Sequence, residues 1–119
     1  MTEQGRNIDV TVSEVGPRDG LQNVAETVST ETKLGLIARA IAAGTRRIEV
    51  TSFVNPRAVP QMADAEAVCA GLPERGDVTF IGLVMNLRGA DRALATGRID
   101  QLGAVAVATD SFAISAVAA

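Results

Sequence analysis

Val15-Gly16-Pro17-Arg18-Asp19-Gly20-Leu21-Gln22-Asn23 is the stretch on which the reading of this chain turns. It follows an alternating apolar and polar run, Ile8 to Val15, and sets an arginine, a carboxylate and an amide among turn-forming residues. Glycine admits positive φ and proline fixes φ, so together they punctuate loops. The motif has two readings. With proline second and glycine fourth, Pro-Arg-Asp-Gly is a good β-turn sequence. At the end of a strand, a charged Arg-Asp pair in so tight a loop is also where chemistry sits.

Working outward, the chain alternates between two periods. Ile8 to Val15 has the period of two expected of an opening strand. The Arg18-Asp19 loop runs on through Glu26, and Ser29 or Thr30 can cap a helix that has Glu31 in its first turn. Leu34, Ile37, Ala40 and Ile41 form the apolar stripe of that helix, and Gly44 is its stop. Arg46 to Thr51 reads as a second strand, followed by a loop with Asn55 and Pro56. Pro60 can begin the next helix, with Met62, Ala65, Val68, Cys69 and Leu72 as its inner face and Gly71 near its end. Val78 to Val84 is a third, almost wholly apolar strand, as suits a parallel sheet covered on both faces. Asn86 is a candidate cap for a helix with the stripe Leu87, Ala90 and Leu94 and the stop Gly97. Leu102 to Ala108 reads as a fourth strand, and Thr109-Asp110-Ser111-Phe112 as the loop after it. Strands and helices in alternation argue for right-handed βαβ crossovers and an α/β fold.

Composition narrows the function classes. The 119 residues suit one small domain spanning the whole chain, 1–119, with 47% hydrophobic residues to fill its core. The formal net charge is −3, no basic stripe is present, and Tyr and Trp are absent, so nucleic-acid binding has no support. The apolar runs are too short to span a bilayer, and Met1 to Asp9 is polar with no signal-peptide core, so no membrane partner and a cytoplasmic location are expected. A single cysteine, Cys69, excludes an internal disulfide and a thiolate metal cluster. Lying beside Val68 and Leu72, it reads as a buried small hydrophobe rather than a nucleophile. With no histidine, the chain by itself forms neither a Ser-His-Asp triad nor a His-ligated metal site.

In an open or closed parallel sheet, function gathers where strands end and helices begin. Arg18, Asp19 and Gln22 follow the opening strand. Glu49, Thr51 and Ser52 end the second, Asn86 follows the third, and Asp110 and Ser111 follow the fourth. Four separate segments therefore bring polar groups to one end of the sheet.

Four pieces together carry a family resemblance: the opening stretch Val15 to Asn23, Ile48-Glu49-Val50-Thr51-Ser52-Phe53-Val54, Val59-Pro60-Gln61-Met62-Ala63-Asp64 and Asn86-Leu87-Arg88-Gly89. In order and spacing they resemble hydroxymethylglutaryl-CoA lyase. Relatives that condense or cleave oxo acids share the Arg-Asp-Gly element, but Gln22-Asn23 and Thr51-Ser52-Phe53 favour the lyase. The resemblance implies the amino-terminal half of a TIM barrel. It also implies cleavage of 3-hydroxy-3-methylglutaryl-CoA, an acyl-CoA, to acetoacetate and acetyl-CoA with a divalent cation, Mg²⁺ or Mn²⁺. By motif, Asp19 is then a metal ligand, a carboxylate suited to a hard cation. Arg18 stabilises charge on the departing enolate oxygen, and Glu49 supports the site by hydrogen bonding or proton transfer. Gln22 and Ser52 line the site, and Asn86 lies at the mouth where acyl-CoA enters. Other readings stay open: Glu49 as an ion-pair partner of Arg46, Arg47 or Arg18, Asn86 as a helix cap only, Arg57 and Arg88 as CoA-phosphate contacts or as solvated surface charge.

The sequence also departs from the family. A TIM barrel typically needs about 250 residues and eight strands. The family's two metal-binding histidines, its metal-binding asparagine and its catalytic cysteine come from later strands and loops, and Cys69 does not match that cysteine. Met85 replaces the usual proline before Asn86, and Ala113 to Ala119 is apolar where the family is basic. These departures imply a truncated domain with an incomplete cation site and no turnover of its own. Half a barrel leaves open strand edges, so a homodimer, or a non-catalytic interaction module, is one alternative expectation. Another aldol-type lyase or synthase of the same superfamily, acting on a related acyl-CoA or oxo acid, is the other.

Overall fold

In the computed structural model residues 10–109 are described, and they build a parallel sheet with helices between its strands. Ser29 starts α1 (Thr30–Ala42) by accepting a hydrogen bond from Thr32 N at 3.2 Å. Gly44, just past its end, adopts φ +106, a conformation that favours glycine. The chain then enters β1 (Arg47–Ser52), passes a 3₁₀ turn (Pro60–Met62) and α2 (Ala65–Ala70), and forms β2 (Thr79–Val84). Asn86 caps α3 (Leu87–Thr96) through Oδ1, which accepts from Gly89 N at 2.9 Å, and Gly97 stops the helix at φ +66. β3 (Gln101–Ala104) completes the sheet, whose order is β1-β2-β3 with both pairings parallel.

One part of the core lies between α1, α2 and the sheet. Ile37, Ile41, Ile48, Val50, Val68, Leu72, Val78 and Phe80 are buried together there, which bears out the stripes read for α1 and α2. A second cluster joins Phe53, Ala65, Cys69, Val84 and Ala93 under α3. Burial pushes the Cys69 thiol up to about 11, so it is a protonated packing group and not a nucleophile.

Four expectations are corrected. Over its described residues, 10–15, the opening strand is reduced to one parallel bridge, Glu14 to Ile48, with Val10 and Val12 75% and 74% exposed. Alternation specifies a strand only where a surface covers its apolar face, and among the described residues nothing covers those valines. The helix begun at Pro60 is broken into the 3₁₀ turn and a separate six-residue α2. In α3 the buried positions are Gly89 and Ala93, whereas Leu87 and Leu94 are 77% and 66% exposed. The reason is a close approach. A Cβ at Gly89 would stand 2.5 Å from the Phe53 carbonyl oxygen, so the helix seats its glycine, not its leucines, on the end of β1. Finally, the fourth strand is shorter than its apolar run, ending at Ala104. Asp110, Ser111, Phe112 and the apolar segment after them lie outside the described residues.

Candidate active site at the carboxyl ends of the strands

Gly16–Gly20 forms one π-helical turn rather than a β-turn. The backbone N–H groups of Arg18, Asp19 and Gly20 converge on the Val15 carbonyl at 3.1, 2.7 and 3.4 Å. Glu14, whose backbone links the turn to β1, accepts a hydrogen bond from Gly16 N at 2.8 Å through Oε1. The turn is thereby held at both ends, and it aims Arg18 back at β1.

There the Arg18 Nε donates to Glu49 Oε1 in a short contact, with the two side chains 18% and 15% exposed. An ion pair so shielded from solvent is stronger and more restrictive than a surface pair. Arg18 Nη1 also lies 3.4 Å from Asp19 Oδ1. Asn23 Nδ2 reaches the Asp19 carbonyl at 2.8 Å and Asp19 Oδ1 at 3.2 Å. Of the partners open to Glu49 from the sequence, the fold selects Arg18.

Beyond Glu49 the ladder slips. Glu49 pairs with Ile81 but Thr51 with Gly82, so Val50 is an extra residue in β1. Bulges of this kind re-aim side chains beside functional sites. Val50, Thr51, Ser52, Phe53 and Val54 are all buried in succession, between 0% and 3% exposed. Ser52 Oγ has no hydrogen-bond partner in this setting, and neither does the buried Gln22 Oε1. Buried polar atoms are seldom left so, because each forfeits the hydrogen bonds it made in water.

A second cluster flanks the first. An open groove of about 840 Å³ runs between the loop after β1 and the start of α3, with Phe53, Asn55, Arg57, Asn86, Arg88 and Arg92 among its walls. Arg92 is pinned on three sides. It makes two 2.8 Å bonds to the Glu66 carboxylate, donates to the Val54 carbonyl at 3.0 Å, and lies 5.6 Å from the centroid of the Phe53 ring. Its guanidinium holds the Glu66 carboxyl below the usual carboxylate range. Asn86 therefore does two things: it caps α3 and it lines the groove.

The residues singled out in the sequence thus fall in two places. Arg18 touches both Asp19 and Glu49, and Asn86 stands in the groove with Arg57 and Arg88; Ser52 lies at the β1 end between them in the chain. Sequence reading passed over Arg92, Glu14 and Lys33. Arg92 had one signal, its spacing of four from Arg88 on a single helix face. Among the described residues no group of three or more carboxylate, thiol or imidazole side chains is arranged to hold a metal ion. Asp19, 53% exposed in its side chain and already sharing Oδ1 with Arg18 and Asn23, offers one carboxylate, too little for a hard cation that wants several oxygen ligands.

No family model matches the chain. Against curated proteins the likeness is plain. A 3-hydroxy-3-isohexenylglutaryl-CoA/hydroxy-methylglutaryl-CoA lyase of Pseudomonas aeruginosa is 43% identical over 103 residues, which is 87% of this chain and 34% of that one. This chain is a partial relative of the hydroxymethylglutaryl-CoA lyases. An (R)-citramalyl-CoA lyase of Chloroflexus aurantiacus is 45% identical over 98 residues, covering 74% of this chain and 31% of the relative. In fold, a hydroxymethylglutaryl-CoA lyase of Acinetobacter baumannii solved with coenzyme A and 3-methylmalate superposes with a TM-score of 0.85 at 37% identity, over 90% of this chain and 35% of the other. The chain spans about a third of the length of the curated relatives it matches. Its α/β architecture is a partial lyase barrel. Among the described residues no helix is long and apolar enough to cross a membrane.

Proposed function

We propose that this chain is part of a hydroxymethylglutaryl-CoA lyase, forming one partial-barrel domain and contributing to carbon–carbon cleavage of 3-hydroxy-3-methylglutaryl-CoA into acetoacetate and acetyl-CoA. The observation that carries this reading is the Arg18–Glu49 pair at the carboxyl end of β1. Cleavage leaves negative charge on the enolate oxygen of acetyl-CoA. A guanidinium fixed in advance by a carboxylate meets that charge without reorganising, which is the largest common source of rate acceleration. Glu49 acts here as the group that orients Arg18.

Gln22 and Ser52 supply the binding side of the reading. Each buries an oxygen without a partner, and a substrate hydroxyl or amide N–H would satisfy it. Asn86, with Arg57 and Arg88, faces the approach of the acyl-CoA and its phosphates. A divalent cation supplies Lewis acidity in lyases of this kind. The described residues do not make its site, so Asp19 contributes at most one ligand and the others come from outside them. A cytoplasmic location belongs to this reading.

A second reading shares the chemistry and changes the substrate. The likeness to a citramalyl-CoA lyase is as close in identity as that to the methylglutaryl enzymes, so another 3-hydroxyacyl-CoA is the competing substrate. One experiment tests both. Residues 10–109 replace the matching third of an active hydroxymethylglutaryl-CoA lyase, and the chimera is assayed with both acyl-CoAs and Mn²⁺. Turnover of the methylglutaryl substrate supports the first reading, and preference for citramalyl-CoA the second. A folded chimera inert on both would overturn the two together. The chain alone is expected to show no turnover above background.

A further inference from the structure

One buried charge has no part in the chemistry above. Lys33, in the first turns of α1, is 2% exposed. Its ammonium is 2.5 Å from Asp64 Oδ1 and donates to the Gln61 carbonyl, also at 2.5 Å. The other Asp64 oxygen accepts from Thr30 Oγ1 at 2.6 Å. Residues 61–64 are thus fastened to the start of α1 from both sides of one carboxylate.

That fastened segment in turn holds two parts of the candidate site. Gln61 Nε2 donates to the Val24 carbonyl at 2.8 Å. Among the described residues, this is the one hydrogen bond reaching residues 21–28 from a distant part of the chain. It lies two residues from Gln22. Met62, next to Gln61, is buried, and its Sδ stands 3.8 Å from Thr51 Oγ1, beside Ser52. The two unpartnered oxygens of the site therefore lie on segments braced by the same four residues.

We propose that Lys33 is a positioning residue: through Asp64 and Gln61 it sets the Gln22 segment and the floor under Thr51 and Ser52. Stability does not account for it, because a buried ion pair is often matched or bettered by apolar side chains of the same volume. What a paired buried charge adds is a single permitted geometry, since any other leaves the charge without a partner. The functional meaning of that geometry rests on the lyase reading, but the geometry itself does not.

Backbone ¹⁵N order parameters and amide exchange of the full chain test the proposal. In Lys33→Met, the order parameters of Gln22 to Val24 should fall, and amides of residues 21–24 and 62–64 should exchange at least tenfold faster. Amides of Phe80, Ile81 and Leu83 should stay within twofold of the parent. Uniform acceleration that includes β2 would mean a merely structural lysine and overturn the proposal; so would unchanged residues 21–24. If Lys33→Met fails to fold, Gln61→Ala decides, since it removes one half-exposed amide. It should loosen 21–24 and leave 62–64 as they were, and equal protection at 21–24 would sink the idea. No step involves turnover, so failure of the lyase reading and failure of this one are told apart.

Discussion

The two ends of the sheet treat polar groups in opposite ways. At the amino ends of the strands Arg46, Arg75, Asp77 and Asp100 all have protein partners. Arg75 grips Asp77 with bonds of 2.9 and 2.8 Å, Arg46 adds a contact to Asp77 at 3.5 Å, and Arg46 Nη1 also donates to the carbonyls of Ile41 and Thr45. Asp100 accepts from Phe80 N at 2.9 Å while its own N–H returns a bond to the Phe80 carbonyl at 2.9 Å. At the carboxyl ends, Ser52 Oγ and Gln22 Oε1 are buried without partners, and Arg57 and Arg88 stand exposed around a groove. The first end spends its polar groups on holding itself together. The second keeps some in reserve, which is what a binding site requires and what costs a fold stability.

The largest effect that can sharpen this contrast is catalytic. In the chimera, Arg18→Gln should lower kcat by about 10² to 10³, the usual cost of losing one preorganised charge stabiliser. It should also lower the melting temperature, because Glu49 loses its counter-charge; a kcat within threefold of the parent would deny the carboxyl end its assigned chemistry. Next comes stability at the amino end. Asp100→Ala leaves the Phe80 N–H without its acceptor and should cost about 1–2 kcal/mol in urea unfolding.

Ser52→Ala should do the reverse at the carboxyl end. Removing an unsatisfied buried hydroxyl is expected to be neutral or to stabilise by up to about 1 kcal/mol, while weakening acyl-CoA binding in the chimera. If Ser52→Ala instead destabilises as much as Asp100→Ala, the two ends are not different in kind. The smallest effect is in acid. The Arg75 guanidinium holds the Asp77 carboxyl down at about 2, below its ordinary value near about 3.9. The folded chain therefore binds fewer protons there than the unfolded chain, and stability from this group is present above about pH 4 and drains away as pH falls toward 2. Asp77→Asn should flatten the acid arm of the melting profile over that window and leave neutral pH nearly unchanged. The group is exposed, so the flattening will be slight and will shrink with salt.

How much of this was legible in advance varies by residue. The cap at Ser29, the stops at Gly44 and Gly97, and the inner face of α2 follow from local chemistry, and all hold in the structure. Leu87 and Leu94 misled because helical spacing marks a stripe but not which neighbour it meets; the Phe53 carbonyl admits only a glycine, and that decided the rotation of α3. Lys33 was read past because charged residues are rarely buried, and its partner Asp64 lies 31 residues away. Arg92 sits on Phe53 for the same long-range reason.

The sequence by itself determined the alternation of strand and helix, the caps and stops, and the collection of Arg18, Asp19, Glu49, Ser52 and Asn86 at one end of a parallel sheet. Those rest on interactions within a few residues and on the rule that parallel strands point the same way. Only the tertiary structure decided that Glu49 takes Arg18 rather than Arg46 or Arg47, that the Arg18 loop is a π-turn, that a bulge at Val50 buries Ser52 unpartnered, and that Lys33 braces the Gln22 segment. Each is a choice among partners distant in sequence, settled by which groups packing brings within reach of a hydrogen bond.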